Sequence, residues 1–183
     1  MKFCSQCGSS LSREIPAGDN RLRFVCLDCR FIHYENPKIV AGCIPVWEGK
    51  ILLCRRAIEP RYGLWTIPAG FMENDETVQE AAERETWEEA EALVEAMEIY
   101  HLYNIIHVNQ LYVIYRGRLR DGKFGIGEES LESHLFAPTA IPWDELAFEV
   151  IRQSLQRFIE ELDRNHFRVF VGDIYKKSPA RKT

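Results

Sequence analysis

Apolar and polar positions along the chain follow two different periods. From Ile39 the pattern is β-rich: apolar residues run from Ile39 to Trp47, Glu48-Gly49-Lys50 supplies a turn, and Ile51 to Arg55 completes a predicted hairpin. Residues 76–91 are acidic, carry alanine and lack glycine and proline, which predicts a helix. A second β-like stretch runs from Ile99 to Leu119, with a break near His107-Val108-Asn109 and a turn at Asp121-Gly122. A further helix is predicted from Pro142 to about Asp163, because Leu146, Val150, Leu155, Phe158, Ile159 and Leu162 recur at helical spacing. The last residues, Lys176 to Thr183, are basic and polar and are expected to form a frayed tail.

Residues 1–33 hold too few apolar residues to fold alone. They hold two knuckles, Cys4-Ser-Gln-Cys7 and Cys26-Leu-Asp-Cys29, with eighteen residues between the pairs, and Pro16, Gly18 and Asp19 read as turns between short strands. Paired CxxC motifs at this spacing predict a zinc ribbon, in which structural Zn2+ on Cys4, Cys7, Cys26 and Cys29 supplies the folding free energy that a small core lacks. The other two cysteines, Cys43 and Cys54, lie in apolar runs and are expected to behave as small hydrophobes. Tyr34-Glu35-Asn36-Pro37 reads as a linker, since Asn-Pro is biased away from helix. The organisation expected is therefore a β-type ribbon at 1–33, one larger domain at 38–175 and a flexible tail at 176–183.

Composition narrows the class. A chain of 183 residues, 46% hydrophobic and 28% charged, accommodates one enzyme-sized core plus an appendage. A formal charge of −5 disfavours a general nucleic-acid or acidic-membrane binder, which needs a basic face. No stretch approaches the roughly 20 apolar residues of a membrane span, and Met1-Lys2-Phe3-Cys4 leads into polar sequence without a signal-peptide core, so a cytoplasmic location is expected.

The acidic helix carries the candidate chemistry. Glu85, Glu88 and Glu89 stand at i, i+3 and i+4, and at about 100° per residue they fall within one arc on the side of Val78, Ala81 and Ala82. Three carboxylates beside an apolar face repel one another unless cations join them, and hard divalent ions bridging carboxylates to phosphates are the natural neutraliser. Arg84 is placed to clamp one carboxylate by a bidentate pair. A solvated acidic face would show the same composition, and the preceding loop is what distinguishes the two.

That loop is Trp65-Thr-Ile-Pro-Ala-Gly70. Gly70, five residues, Glu76, seven residues, Arg84-Glu85, two residues and Glu88-Glu89 resemble the Nudix box, and every polar position of the box is matched. Three positions depart from it: Thr86 and Ala92 stand where the family has bulkier aliphatics, and Glu91 replaces a glycine that ends the helix in a left-handed conformation. Because that conformation costs a non-glycine residue roughly 1 kcal/mol or more, the helix is expected to run on toward Ala92-Leu93-Val94 or to end less sharply. The paired knuckles, the Tyr-x-Asn-Pro-Lys entry, Leu-Leu-Cys-Arg-Arg and Gly-Leu-Trp-Thr-Ile-Pro-Ala-Gly extend the likeness to the zinc-ribbon Nudix subgroup that includes plant plastidial FAD and ADP-ribose pyrophosphatases.

The resemblance implies an α/β fold, an α/β/α sandwich around a mixed sheet, and hydrolysis of the diphosphate in ADP-ribose or FAD to release AMP. It implies catalytic Mg2+ or Mn2+ on Glu85, Glu88, Glu89 and the backbone carbonyl of Gly70, and a further ligand or base from Glu129 or Glu132. Arg55, Arg56 and Arg61 are candidates to contact phosphate or a terminal ribose, and Trp65 to stack on adenine, although a tryptophan beside Ile67 and Pro68 also suits a core. Because many relatives are dimers, the resemblance also implies a homodimer. Two alternatives stand beside this reading. NADH pyrophosphatases share the ribbon and box but carry a Ser-Gln-Pro-Trp-Pro-Phe-Pro-type segment, where this chain has Tyr100-His-Leu-Tyr-Asn-Ile-Ile-His107. A non-catalytic ADP-ribose sensor would tolerate degraded box glutamates, and here all are present.

Overall fold

The structure, a computed structural model, describes residues 1–162, 164 and 167–176. It divides into two compact units, one ending at Pro37 and the other beginning at Lys38. The expected tail, beyond Lys176, and the predicted helix end at Asp163 lie outside the described residues. No helix among the described residues is long and apolar enough to cross a membrane.

The first unit is a three-stranded antiparallel sheet, β1 (Leu11–Glu14), β2 (Arg23–Cys26) and β3 (Ile32–His33), with β2 in the middle. Its buried hydrophobic residues are Cys4, Val25 and Cys26. So small a core supplies little of the free energy of folding, which is why the cysteine cluster matters to it.

The second unit is built on a mixed sheet. The predicted hairpin forms as β4 (Lys38–Trp47) and β5 (Lys50–Arg56), and the second β-like stretch forms β8 (Val94–Ile105) and β9 (Gln110–Leu119), broken by a single helical turn at Ile106–Val108 with Asn109 left-handed. Short strands β6 (Trp65–Thr66) and β7 (Ala69–Phe71) pair with β5 and β4 respectively. Strands β10 (Ser130–Phe136) and β11 (Phe170–Ile174) form the edges, giving the order β10-β5-β4-β9-β8-β11. The β4/β9 and β8/β11 pairs are parallel. The sequence pattern does not single out β6, β7 or β11, because two to five residues hold too few alternations to register, nor β10, where Ser130, Glu132, Ser133 and His134 interrupt the apolar positions.

Two helices cover the sheet, α1 (Val78–Ala90) and α2 (Glu149–Leu162). Strand alternation assigns the residues between them. Ala41, Cys43, Leu52 and Cys54 pack with Ala81, Ala82 and Ala90 of α1, while Ile44, Ile51 and Leu53 pack with Ile151, Leu155 and Phe158 of α2. Each fully buried aliphatic side chain in these layers contributes about 1.5–3 kcal/mol. Cys43 and Cys54 are wholly buried, and desolvation raises both thiols far above their usual range, as befits small hydrophobes.

Both helices correct the sequence expectation at their ends. The segment from Pro142 makes one tight turn at Trp143–Glu145 and then extends, because Leu146 bridges Trp65 and the Ala147 N–H donates to the Trp65 carbonyl at 2.8 Å; α2 starts only at Glu149. Helix α1 does not run on past Glu91. It stops at Ala90, with Glu91 itself left-handed at φ 47° and its N–H donating to the Trp87 carbonyl at 2.7 Å. The free carbonyls of the last turn are taken from outside the helix: the Gly125 N–H donates to Ala90 at 2.6 Å and the Gly127 N–H to Glu89 at 3.1 Å. These bonds, together with the burial of Ala92 and Val94, offset the cost of a left-handed glutamate. Thr86, fully buried at an aliphatic position, satisfies its hydroxyl by donating to the Ala82 carbonyl at 2.7 Å.

Candidate functional site

Helix α1 begins with a capping box. Thr77 accepts from the Glu80 N–H at 3.2 Å, and Glu80 accepts from the Thr77 N–H at 2.7 Å. The cap fixes the helix start relative to the loop before it, and the face bearing Glu85 and Glu89 lies against β7 and β4. Both carboxylates are largely buried, at 9% and 5% exposure, while Glu88 is exposed at the rim. Gly70 meets the cluster directly: a Cβ at that position would lie 2.3 Å from the Glu85 carboxylate, so only glycine leaves room for it.

Arg84 ties the cluster together. It pairs bidentately with Glu76, Nε to Oε2 at 3.0 Å and Nη2 to Oε1 at 2.8 Å. Its Nη1 donates to Glu85 and Glu88, each at 2.8 Å, and Nη2 reaches the Phe71 carbonyl at 3.0 Å. One guanidinium thus joins three carboxylates and the loop backbone. Arg84 holds Glu76 down to about 2. By contrast, burial pushes Glu89 up to about 8, with the Glu85 and Glu129 charges adding to the shift and the Ala69 N–H, donating to Glu89 at 3.2 Å, opposing it. Burial also raises Glu85. Two acids held with raised pKa values beside repelling neighbours form an environment that a cation would stabilise.

The cluster forms one wall of a cleft of about 1070 Å³ that continues past Arg56, Arg61, His107, Tyr112 and Phe148. In the first unit, Cys4, Cys7, Cys26 and Cys29 converge, with all four sulfurs within 4.8 Å of one another, Cys4 to Cys29 at 3.8 Å and Cys7 to Cys26 at 3.4 Å.

Comparison with known proteins matches residues 36–161 to the NUDIX domain and residues 2–35 to the Nudix N-terminal zinc ribbon. The chain belongs to the Nudix hydrolase family. Among solved structures, a NUDIX hydrolase from Nitrosomonas europaea superposes with a TM-score of 0.93 at 50% identity, over 96% of this chain and 100% of that one. The NUDIX domain of Shewanella oneidensis NrtR, solved with ADP ribose, shares the fold alone, with a TM-score of 0.62 at 18% identity over 70% of this chain and 90% of that one. A curated relative, the NAD-capped RNA hydrolase NudC of Vibrio atlanticus, is 38% identical over 94 residues, 49% of this chain and 31% of its own length. Phosphatase NudJ of Escherichia coli is 45% identical over 54 residues, 30% of this chain and 35% of its own length. The chain thus spans about a third of the length of these curated relatives.

Set against this Nudix fold, the sequence-derived candidates separate into two groups. Gly70, Arg84, Glu85, Glu88, Glu89, Arg56, Arg61 and Glu129 line the cleft. Arg55, Trp65 and Glu132 do not line it. Arg55 and Arg56 are neighbours on β5 and therefore point to opposite faces. Arg55 Nε donates to the Gly63 carbonyl at 2.8 Å and Nη1 pairs with Glu132 at 2.9 Å, which places Glu132 on the edge strand β10 in a surface ion pair. Trp65 is 7% exposed and packs edge-to-face on Phe136 at 4.9 Å, which makes it core and unavailable for stacking on a base. Arg56, 9% exposed, donates from Nε to the Pro60 carbonyl at 3.0 Å and lies 5.2 Å over the Phe148 ring. His107, Tyr112 and Phe148 also line the cleft; they come from separate parts of the chain, and no local spacing in the sequence links them.

Proposed function

We propose that this Nudix protein is a pyrophosphohydrolase that cleaves the diphosphate of ADP-ribose or FAD and releases AMP, with Mg2+ or Mn2+ held by Glu85, Glu88, Glu89 and the Gly70 carbonyl. The observation that carries the reading is the clamped carboxylate cluster opening on a cleft of about 1070 Å³, which has room for a dinucleotide-sized ligand. A divalent ion bound there supplies charge neutralisation for the diphosphate and lowers the pKa of an attacking water.

The chain's own groups set the geometry around it. Arg84 fixes the rotamers of Glu85 and Glu88, and Gly70 lets the loop backbone approach Glu85. Glu129 faces Glu85 and Glu89 closely enough to raise the pKa of both, and it is the residue we assign as further ligand or proton acceptor. Arg56 and Arg61, further along the cleft, offer N–H groups to a phosphate beyond the scissile one. In the ribbon, structural Zn2+ fits the sulfur cluster: sulfurs bound at about 2.3 Å in a tetrahedron lie about 3.8 Å apart, against contacts of 3.8 and 3.4 Å here.

The match to NudC supports a second reading, in which a nicotinamide dinucleotide offers the same diphosphate to the same groups. Hydrolysis of ADP-ribose, FAD and NADH with Mg2+, beside a Glu89→Gln variant, separates these. AMP release from ADP-ribose or FAD that is lost in the variant supports the first reading, preferential turnover of NADH supports the second, and binding of ADP-ribose without turnover would overturn both.

A further inference from the structure

The segment from Asp121 to Glu129 has no regular secondary structure, yet it is held against the rest of its unit at three glycines. A Cβ on Gly122 would lie 2.4 Å from the Trp47 ring. On Gly125 it would meet the Glu91 side chain, with Oε2 at 2.2 Å and Cβ at 3.0 Å. On Gly127 it would fall 1.7 Å from the Glu88 carbonyl oxygen, which is backbone and cannot turn aside. The Gly125 and Gly127 N–H groups cap the last carbonyls of α1, the Ser130 N–H closes on the Gly127 carbonyl at 3.0 Å, and the Ala57 N–H ties down the Glu129 carbonyl at 2.8 Å. Glu128 and Glu129, immediately after this contact, line the cleft beside Glu85 and Glu89.

We infer that Asp121–Glu129 is a fixed hook: Gly127, supported by Gly125, is a positioning residue that locks the segment onto the end of the carboxylate helix and so sets where Glu129 stands. Glu91 completes the device. Its left-handed backbone ends α1 at the point where Gly125 and Gly127 enter, so the position at which the family glycine is replaced is the one that Gly125 packs against. The inference rests on the assignment of Glu129 to the site, and its test separates the two.

Hydrogen exchange reads the hook without reference to activity: the Gly125 and Gly127 amides should exchange as slowly as those of the last turn of α1. Exchange at the rate of open loops overturns the hook. Turnover of ADP-ribose or FAD, whichever is hydrolysed faster with Mg2+, then reads its purpose. Glu129→Gln should lower kcat on the order of 10²-fold, and an unchanged rate overturns the assignment of Glu129 while leaving the exchange result standing. Gly127→Ala should lower kcat by a similar order through misplacement, with KM nearly constant, and the Gly127→Ala/Glu129→Gln double variant should be no slower than the slower single. Additive losses overturn the coupling. Neither glycine has a positive φ, so an alanine is opposed by contact alone, by the Glu88 backbone at Gly127 and by the Glu91 side chain at Gly125. Gly125→Ala should therefore lose activity that Glu91→Gly restores in the double variant. No restoration overturns the pairing, and this arm holds even if Gly127→Ala fails to fold.

Discussion

Arg84 and Glu76, eight residues apart, meet through two hydrogen bonds of 3.0 and 2.8 Å, and this pair decides what Arg84 can do with its remaining donors. With one edge of the guanidinium fixed on Glu76, Nη1 is aimed at Glu85 and Glu88. Lysine keeps the charge but cannot form this fork. Arg84→Lys is expected to reduce kcat/KM roughly 10²-fold by loosening the carboxylates, with little change in melting temperature. Glu76→Gln should show the same effect in weaker form. Steady-state kinetics beside thermal melts check both, and a variant that melts early without losing kcat/KM would assign the pair to folding alone.

The same cluster predicts an unusual dependence of stability on pH. Glu89 is raised from 4.5 to about 8 by burial, so the native state binds its proton more tightly than the unfolded chain does. Its contribution is present below about 4.5 and is lost as pH rises through about 8. Glu76, lowered to about 2, acts oppositely: its contribution is present above about 4.5 and is lost as pH falls toward 2. Melting temperature in a chelator should therefore decline from about pH 5 to 8, and Mg2+ should flatten that decline by stabilising the ionised carboxylate. Glu89→Gln, an uncharged mimic, should melt higher than wild type at pH 8 in chelator, by about 2–4 °C per kcal/mol recovered, and should be inactive. A melting temperature that rises with pH in chelator would refute the account.

The carboxylate helix and the hairpin before it are legible in the sequence because the first is a long acidic, alanine-bearing run without glycine or proline and the second is two apolar runs around Glu48-Gly49-Lys50. Glu85 and Glu89 share a face with Ala81 and Ala82, and that arithmetic survives folding unchanged. What could not be read is whatever depends on which strands meet. Arg55 and Arg56 look alike in sequence, but only the register of β5 against β10 shows that Arg55 meets Glu132 while Arg56 enters the cleft. The end of α1 was misjudged for the same reason: local propensity argues against a left-handed Glu91, and the donors that make it possible come from Gly125 and Gly127, more than thirty residues away.

Trp65 illustrates how core and ligand-binding roles can be separated by experiment. It packs against Phe136 and accepts the Ala147 N–H on its carbonyl, in the layer under α2. Trp65→Ala should cost about 3–5 kcal/mol. Trp65→Phe should lower the melting temperature less and leave KM for the nucleotide unchanged. A several-fold rise in KM for Trp65→Phe at unaltered stability would return this residue to the binding site.

The ribbon's stability should depend on its metal. With Cys4, Val25 and Cys26 as its buried hydrophobic residues, the first unit cannot offset its chain entropy without four bound thiolates. Cys26→Ser, at a fully buried sulfur position, should abolish zinc retention and unfold residues 1–37 while the second unit still melts cooperatively. Metal analysis together with proteolysis of the N-terminal unit tests this. Retention of zinc, or loss of the second unit's transition, would contradict it.

Glu91 supplies a prediction with the opposite sign, a substitution that stabilises. Its backbone is left-handed, its side chain is exposed, and no ion pair holds it among the described residues. The carbonyls that end α1 are already capped by Gly125 and Gly127, so the side chain adds nothing to the cap. Glycine adopts the same backbone without the Cβ penalty, and although it adds entropy to the unfolded chain, the left-handed cost outweighs that term. Glu91→Gly should raise stability by about 1 kcal/mol and the melting temperature by about 2–4 °C. Glu91→Ala keeps the Cβ and should raise neither. If alanine stabilises as much as glycine, the gain comes from relieving acidic repulsion near Glu88 and not from the backbone.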